Sequence, residues 1–301
     1  MIFPGSGDPY IIQGFILVLA FLSLSLSWYS GRIGSPIVAI FGRWARWFFL
    51  SSIIAGLLYS FGWTGYSFSI LFMVSLLVWF LVETAYNWLA ISTLSRSDLP
   101  LFPKFEENER GAEWPSSKSF IRLKEWIRAE GFQRKQPLIS LLDHHVLMRV
   151  VVYENQDQTI RLHVMLLPNA RGHTSCCFTC ISSTRTGDVI VTDNVFLPFG
   201  GFYPENWSVE RSPWTRSISS LIHRHRERID AKAEELMPFV TTPLEQINED
   251  QRTVEQLNRD LGFLHHPPEE IELGRLTNAG KARIWHEVWT LSYLGIPLRY
   301  N

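Results

Sequence analysis

Three long apolar runs occupy the first third of the chain, and their lengths predict helices that cross a membrane. The runs lie at about residues 10–29, 47–63 and 66–90. About 20 apolar residues at roughly 1.5 Å each span a hydrocarbon core. The second run is slightly short, and it could begin as early as Pro36, because proline is favoured at the first helical position. Residues 1–95 are therefore predicted to be a three-span α-helical membrane anchor.

The hydrophobic pattern changes after residue 95. A Pro- and Gly-containing linker is predicted at 96–117, followed by an amphipathic helix at about 118–130 and then by runs that alternate with period two. The strands are predicted at 138–142, 146–153, 160–166, 174–182 and 189–194. Short connections favour antiparallel neighbours. Residues 118–240 are thus predicted to be a soluble α+β domain, an antiparallel meander of four to five strands flanked by helices.

The remaining residues predict helices. The aromatic segment Leu197–Trp214 should cross from the sheet to a helix at about 216–237. A helical C-terminal tail is predicted over 241–301, with helices at about 242–261 and 278–294.

The last predicted helix carries an aromatic face of Trp285, Trp289 and Tyr293. Two interpretations are open for it. The face could dock on the sheet or on neighbouring helices, or the helix could lie on the bilayer surface. These three side chains are candidate interaction residues under either interpretation.

Charge assigns the orientation of the predicted anchor. Its 95 residues contain five charged side chains, and the three basic ones, Arg32, Arg43 and Arg46, all lie between the first two runs. The segment before the first run has no lysine or arginine. The positive-inside rule therefore places the N-terminus outside and the large domain in the cytoplasm.

Aromatic and basic residues near the ends of the runs predict contact with the membrane interface. Tryptophan and tyrosine favour the headgroup level, and arginine can reach it from within a span. The predicted interface residues are Trp28, Tyr29, Arg43, Trp44, Arg46, Trp47, Trp63 and Trp88. The lipid bilayer is the first predicted partner.

Glu83 is the only acidic residue inside a predicted span. An intramembrane carboxylate is by default a functional candidate. Its position near the cytoplasmic end offers a simpler interpretation, in which it reaches water or nearby arginines. A single peripheral acid argues against a transport pathway.

The predicted soluble part is close to neutral. Of 28 basic and 29 acidic residues in the chain, only three and two, respectively, lie in the first 95 positions. A nucleic-acid-binding domain normally carries a basic excess. No nucleic-acid partner is therefore expected, and a membrane-bound DNA-binding regulator is disfavoured.

The cluster CCFTC and nearby histidines are the candidates for chemistry. A thiol or zinc site would draw on His173, Cys177, Cys180, His144 and His145. On a strand, however, period-two geometry sends Cys177 and Cys180 to opposite faces, so buried cysteines are the competing interpretation. No cofactor is predicted.

The helix at 216–237 carries a basic run that includes Arg224 and Arg226. These side chains could receive phosphate or lipid headgroups, or they could lie on a solvated face and pair with acids.

No nucleotide-binding glycine loop, nucleophile elbow or metalloprotease motif occurs in the sequence. The pattern therefore favours a membrane-anchored binding, scaffold or complex-subunit module with a protein partner. The alternative is a membrane-tethered thiol- or metal-dependent enzyme that uses the Cys176–Cys180 region and nearby histidines.

Overall fold

The chain folds into two compact units. A computed structural model describes residues 9–33, 35–62, 64–143, 146–168, 174–298 and 300. The helical unit comprises Met1–Thr93 and Trp285–Ile296, and the sheet unit comprises Leu94–Ile284 and Pro297–Asn301.

Eight α-helices form within the described residues. They are α1 (Pro9–Ile33), α2 (Pro36–Ser60), α3 (Phe68–Ser95), α4 (Lys118–Ala129), α5 (Ile218–Lys232), α6 (Pro243–Asp260), α7 (Pro267–Leu273) and α8 (Asn278–Trp289). A short π-helix, Thr290–Leu294, continues α8.

The three apolar runs are helices, as predicted. The segments Tyr10–Ser30, Pro36–Ser60 and Phe68–Ser95 are long and apolar enough to cross a membrane, by length and composition. Helix α2 begins at Pro36, the earlier of the two predicted starts, and it takes both Arg43 and Arg46 into the helix. The proline restricts the backbone to helical φ and lacks the N–H that would have no partner there.

A close contact brings α1 and α2 together. Gly56 is buried, and a Cβ atom at this position would lie 2.9 Å from the Cδ1 atom of Ile16. A larger residue here would have to displace the end of the Ile16 side chain. The adjacent cluster of the helical unit joins Ile12 and Ala55 to Phe72 of α3.

The sheet unit is built on a mixed sheet. Its strands are β1 (Glu106–Glu107), β2 (Gln133–Asp143), β3 (Val146–Glu154), β4 (Arg161–Pro168), β5 (Thr174–Thr184), β6 (Val189–Asp193), β7 (Trp207–Arg211) and β8 (Leu236–Met237). Strands β1 to β7 lie in sequence order, and β8 pairs with the end of β5.

The predicted antiparallel meander is present as the five strands β2 to β6, but the whole sheet is mixed and larger than predicted. Strands β2 to β6 are antiparallel neighbours, whereas β7 joins β6 in parallel. Strand β7 lies inside the segment that was predicted only to cross to the next helix. Residues 194–206 provide a connection long enough for a parallel return, and buried Val209 aligns with Val191.

Helices cover both faces of this sheet. On the first face, Ile127 of α4 and Leu221 of α5 pack with Val151. On the second face, Ile247 of α6 packs with Val150. Burial on both sides explains why β3 is an almost continuous apolar run rather than a simple alternation.

The start of α6 and the end of α5 illustrate how local signals set helix ends. Thr242 caps α6 and forms a reciprocal capping box with Glu245. Helix α5 is shorter than predicted, because Ala233 adopts a left-handed conformation and the chain then enters β8.

Candidate functional site

The cysteines of the predicted thiol or metal site divide between the two faces of the sheet. Cys180 belongs to the core of the first face, and Cys176 packs against that core. Cys177 pairs with Met165, which packs on the second face. Strand geometry therefore separates Cys177 from Cys180, as predicted, and all three thiols are free.

Burial makes these thiols poor nucleophiles. It raises the pKa of Cys177 to about 11, with a further contribution from the Asp193 carboxylate, and it raises the pKa of Cys180 to about 12. The pKa of Cys176 is raised in the same way. Because the thiolate is the nucleophile and the metal ligand, protonated thiols of this kind do neither task well.

The predicted histidine partners, His144, His145 and His173, lie outside the described residues. Within the described ranges, no group of three or more His, Cys, Asp or Glu side chains could hold a metal ion. The described geometry therefore adds no support to the thiol- or metal-dependent interpretation.

His225 of α5 is buried and helps to pack the helix against the sheet. Its Nε2 and Nδ1 atoms lie 3.0 Å from Ser182 Oγ and 2.9 Å from Thr192 Oγ1. Burial, followed by the charge of Arg228, lowers the pKa of His225 to about 3. The neutral ring thus fixes α5 to strands β5 and β6.

The basic run of α5 faces carboxylates. Arg224 Nε forms an ion pair with Glu210, and Arg226 NH1 lies 4.0 Å from Glu130. Both arginine side chains are about half exposed. Each candidate for phosphate or headgroup binding therefore already has an acidic neighbour.

The aromatic face of the last helix packs within the helical unit. The ring centroid of Trp289 lies 5.5 Å from that of Trp47, 5.0 Å from that of Phe80 and 4.5 Å from that of Tyr293. Trp285 lies next along the helix, with its ring centroid 6.2 Å from Trp289. We call the contact of residues 285–296 with α2 and α3 the aromatic dock.

Hydrogen bonds orient the aromatic dock. The hydroxyl of Tyr293 donates to Glu83 Oε1 at 2.7 Å. From α2, Arg43 donates to the carbonyl of Ser292 at 2.6 Å, and Trp44 Nε1 donates to the carbonyl of Tyr293 at 2.9 Å. Glu83 therefore holds the C-terminal segment, which is a role that its sequence position did not indicate.

The π-helix gives the dock its geometry. Within Thr290–Leu294, both Leu291 and Tyr293 are buried, and Gly295 ends the segment with a positive φ of 71°. A π-helix widens the helical turn and rotates the side chains that follow it. The wider turn accompanies the burial of both side chains.

The other predicted interface residues lie at the surface of the helical unit. Trp28, Tyr29 and Trp88 are 59%, 50% and 40% exposed, and Arg46 is exposed as well. Trp63 lies outside the described residues. Trp47 differs from them, because it is buried in the aromatic dock with 4% exposure.

A groove beside α4 is the feature that sequence reasoning missed. It has a volume of about 310 Å³. Its lining residues are Trp114, Pro115, Ser116, Phe120, Ile121, Lys124, Glu125 and Arg128. The residues before α4 belong to the predicted linker, so only the fold brings them against the helix. We call this feature the α4 groove.

The α4 groove has an apolar floor and a rim that carries Lys124, Glu125 and Arg128, with a net positive charge. Trp114 and Phe120 meet edge to face at 6.2 Å and pack on the core, while Ile121 is 48% exposed. Neither Lys124 nor Arg128 forms an ion pair within the described part of the chain. This combination suits an apolar side chain presented by an acidic segment.

The aromatic dock and the α4 groove are two places where the described contacts point beyond ordinary core packing. The dock is occupied by the chain's own C-terminal segment, and the groove is open. Comparison with known proteins found no matching family model, no matching curated protein and no matching solved structure.

Proposed function

We propose that this protein is an integral membrane protein whose cytoplasmic α+β domain acts as a binding module in a protein complex. The three long apolar helices support membrane insertion. The basic residues Arg43 and Arg46 near the start of α2 support a cytoplasmic domain under the positive-inside rule.

The α4 groove is the observation that carries the binding role. Burial of one aliphatic side chain on its floor would contribute about 1.5–3 kcal/mol. Lys124 and Arg128 would attract an acidic partner and align it over the floor. The ligand class that we propose is therefore an acidic protein segment with a protruding apolar side chain.

The aromatic dock supports the same function. Helix α8 begins in the sheet unit, whereas its last turn and the π-helix belong to the helical unit. The covalent chain therefore joins the two units at α3 and again around the dock. The dock therefore holds residues 285–296 within the helical unit, beside α2 and α3.

The proposed topology predicts opposite labelling of two engineered cysteines in intact cells. A Gly65→Cys variant, in the connection between α2 and α3, should react with a membrane-impermeant maleimide. A Val240→Cys variant should react only after permeabilisation, although the native side chain is 92% exposed. A Cβ atom at Gly65 meets nothing within 4 Å, so the first substitution should be tolerated.

The native cysteines provide little background in this assay, because burial raises their pKa. Labelling of Val240→Cys from outside, with Gly65→Cys protected, would reverse the proposed orientation.

The binding role predicts a site-specific protein adduct in native membranes. A photo-crosslinking residue at Ile121 of the full chain should capture a protein partner, because this side chain lies at the α4 groove. The matched control places the same residue at Val240. The Lys124→Glu and Arg128→Glu changes together should abolish the adduct, which is read by gel mobility and mass spectrometry.

A yield from Ile121 no higher than from Val240 would contradict the proposal. An adduct that survives the two charge reversals would equally remove the basic rim from the recognition mechanism.

A further inference from the structure

Helix α7 presents the chemistry that fits the α4 groove. Its sequence, PPEEIEL, contains three acids in seven residues. Ile271 is 89% exposed and Leu273 is 51% exposed. An aliphatic side chain so exposed beside Glu272 is the kind of anchor for which the groove is suited.

Ion pairs hold α7 in place, and its apolar side chains Ile271 and Leu273 remain exposed. Glu270 lies 3.6 Å from Arg259 of α6 and 3.1 Å from Arg275. Glu272 forms no ion pair within the described residues. Fixed on α6 in this way, α7 would lose little conformational freedom on binding.

The groove and α7 of one chain belong to opposite faces of the sheet. Helix α4 packs on the first face through Ile127, and α6 packs on the second face through Ile247. Because Glu270 pairs with Arg259, α7 lies beside the end of α6, a helix of the second face, whereas the groove lies beside α4 of the first face. A second copy can supply the missing element.

We infer that the α4 groove of one copy binds α7 of a second copy. Ile271 would enter the apolar floor, and Glu272 would meet Lys124 and Arg128 on the rim. Two different surfaces would then join, so the assembly is head to tail and forms a ring or a chain. This inference rests on the proposed binding role of the groove.

The first test is a charge swap in the full-length protein reconstituted into nanodiscs or detergent micelles. The Lys124→Glu/Arg128→Glu variant and the Glu272→Lys variant should each weaken self-association by roughly tenfold or more, because attraction becomes repulsion. Mixing the two variants should restore association, since the reversed groove of one can bind the reversed α7 of the other. Mass photometry over a concentration series measures the degree of self-association.

A disulfide test locates the contact. Copies that carry Ile121→Cys, mixed with copies that carry Ile271→Cys, should crosslink under mild oxidation. A mixture of Ile121→Cys and Val240→Cys copies is the matched control. Equal thermal stability of all variants shows that each is folded.

The outcomes separate this inference from the proposed function. A wild-type protein that stays monomeric, or an Ile121–Ile271 crosslink no faster than the control, overturns self-association. If Ile121 nevertheless captures a different protein in native membranes, the groove is a binding site with another partner and the proposed function stands. If Ile121 captures nothing, both fail.

Discussion

Replacement of Arg161 by leucine is expected to lower the free energy of unfolding of the sheet unit by about 3–5 kcal/mol. The Arg161 side chain is 1% exposed and donates two hydrogen bonds to Glu154 Oε1, at 2.9 and 2.6 Å. It also donates to the carbonyl of Thr241 and lies 4.2 Å from the centre of the Phe239 ring. Without it, the Glu154 carboxylate remains buried with Lys135 as its nearest cation, 3.3 Å from Oε2.

The large effect comes from Glu154, which stays buried after Arg161 is removed. A buried carboxylate without its main hydrogen-bond donor bears most of its desolvation cost. The double variant Arg161→Leu/Glu154→Leu removes both charges, so it should recover much of the loss. Chemical denaturation of the full chain in detergent, followed by tryptophan fluorescence, provides the measurement.

An exposed ion pair supplies the control. Arg185 and Glu235 lie 2.8 Å apart, but their side chains are 75% and 71% exposed. Arg185→Leu should cost no more than about 1 kcal/mol, because solvent screens the pair. Equal losses for Arg161→Leu and Arg185→Leu would mean that burial does not decide the strength of these pairs.

Replacement of Trp289 by alanine is expected to destabilise the aromatic dock by about 3 kcal/mol, the low end of the cost of a Trp→Ala change, because Trp289 is only partly buried. Trp289 contacts Trp47, Phe80 and Tyr293 with ring centroids between 4.5 and 5.5 Å apart. We expect residues 285–296 to exchange amide hydrogens much faster in the variant. Hydrogen–deuterium exchange of the full chain in nanodiscs measures the change.

Two further variants show which forces hold the dock. Tyr293→Phe keeps the ring and removes the bond to Glu83, so its effect should be smaller, about 1.5–3 kcal/mol for a hydrogen bond to a charged group. Trp28→Ala changes a tryptophan that is 59% exposed and should leave exchange at 285–296 unchanged. Unchanged exchange in Trp289→Ala would show that the dock does not depend on this ring.

The helices and hairpins were predictable because their signals are local. The apolar runs set the lengths of α1 to α3, Pro36 marks the start of α2, and the cap at Thr242 marks the start of α6. Alternation gave β3 and β4 their positions, and it also placed Cys177 and Cys180 on opposite faces.

The extent of the sheet was not predictable in the same way. Strand β7 has five residues within an aromatic and proline-containing segment, and its pairing with β6 depends on a return across the intervening loop. Strands β1 and β8 have two residues each, too few for any periodic pattern. Their pairing is decided by the neighbouring strand edge and not by their own residues.

The candidate sites also differ in how far the sequence alone could predict them. The sequence by itself determined that three apolar helices precede an α+β domain, and it identified Trp285, Trp289 and Tyr293 as an exceptional aromatic face. Only the tertiary structure decided that this face docks on α2 and α3, and that Glu83 accepts its hydrogen bond from a residue 210 positions away.

The α4 groove likewise exists only in the folded chain, because residues 114–116 belong to no regular element and acquire a position by packing against α4. Periodicity reports which residues of one element share a face. It carries no information about which distant element that face will meet, since that choice minimises the exposed apolar surface and the unpaired polar groups of the whole chain.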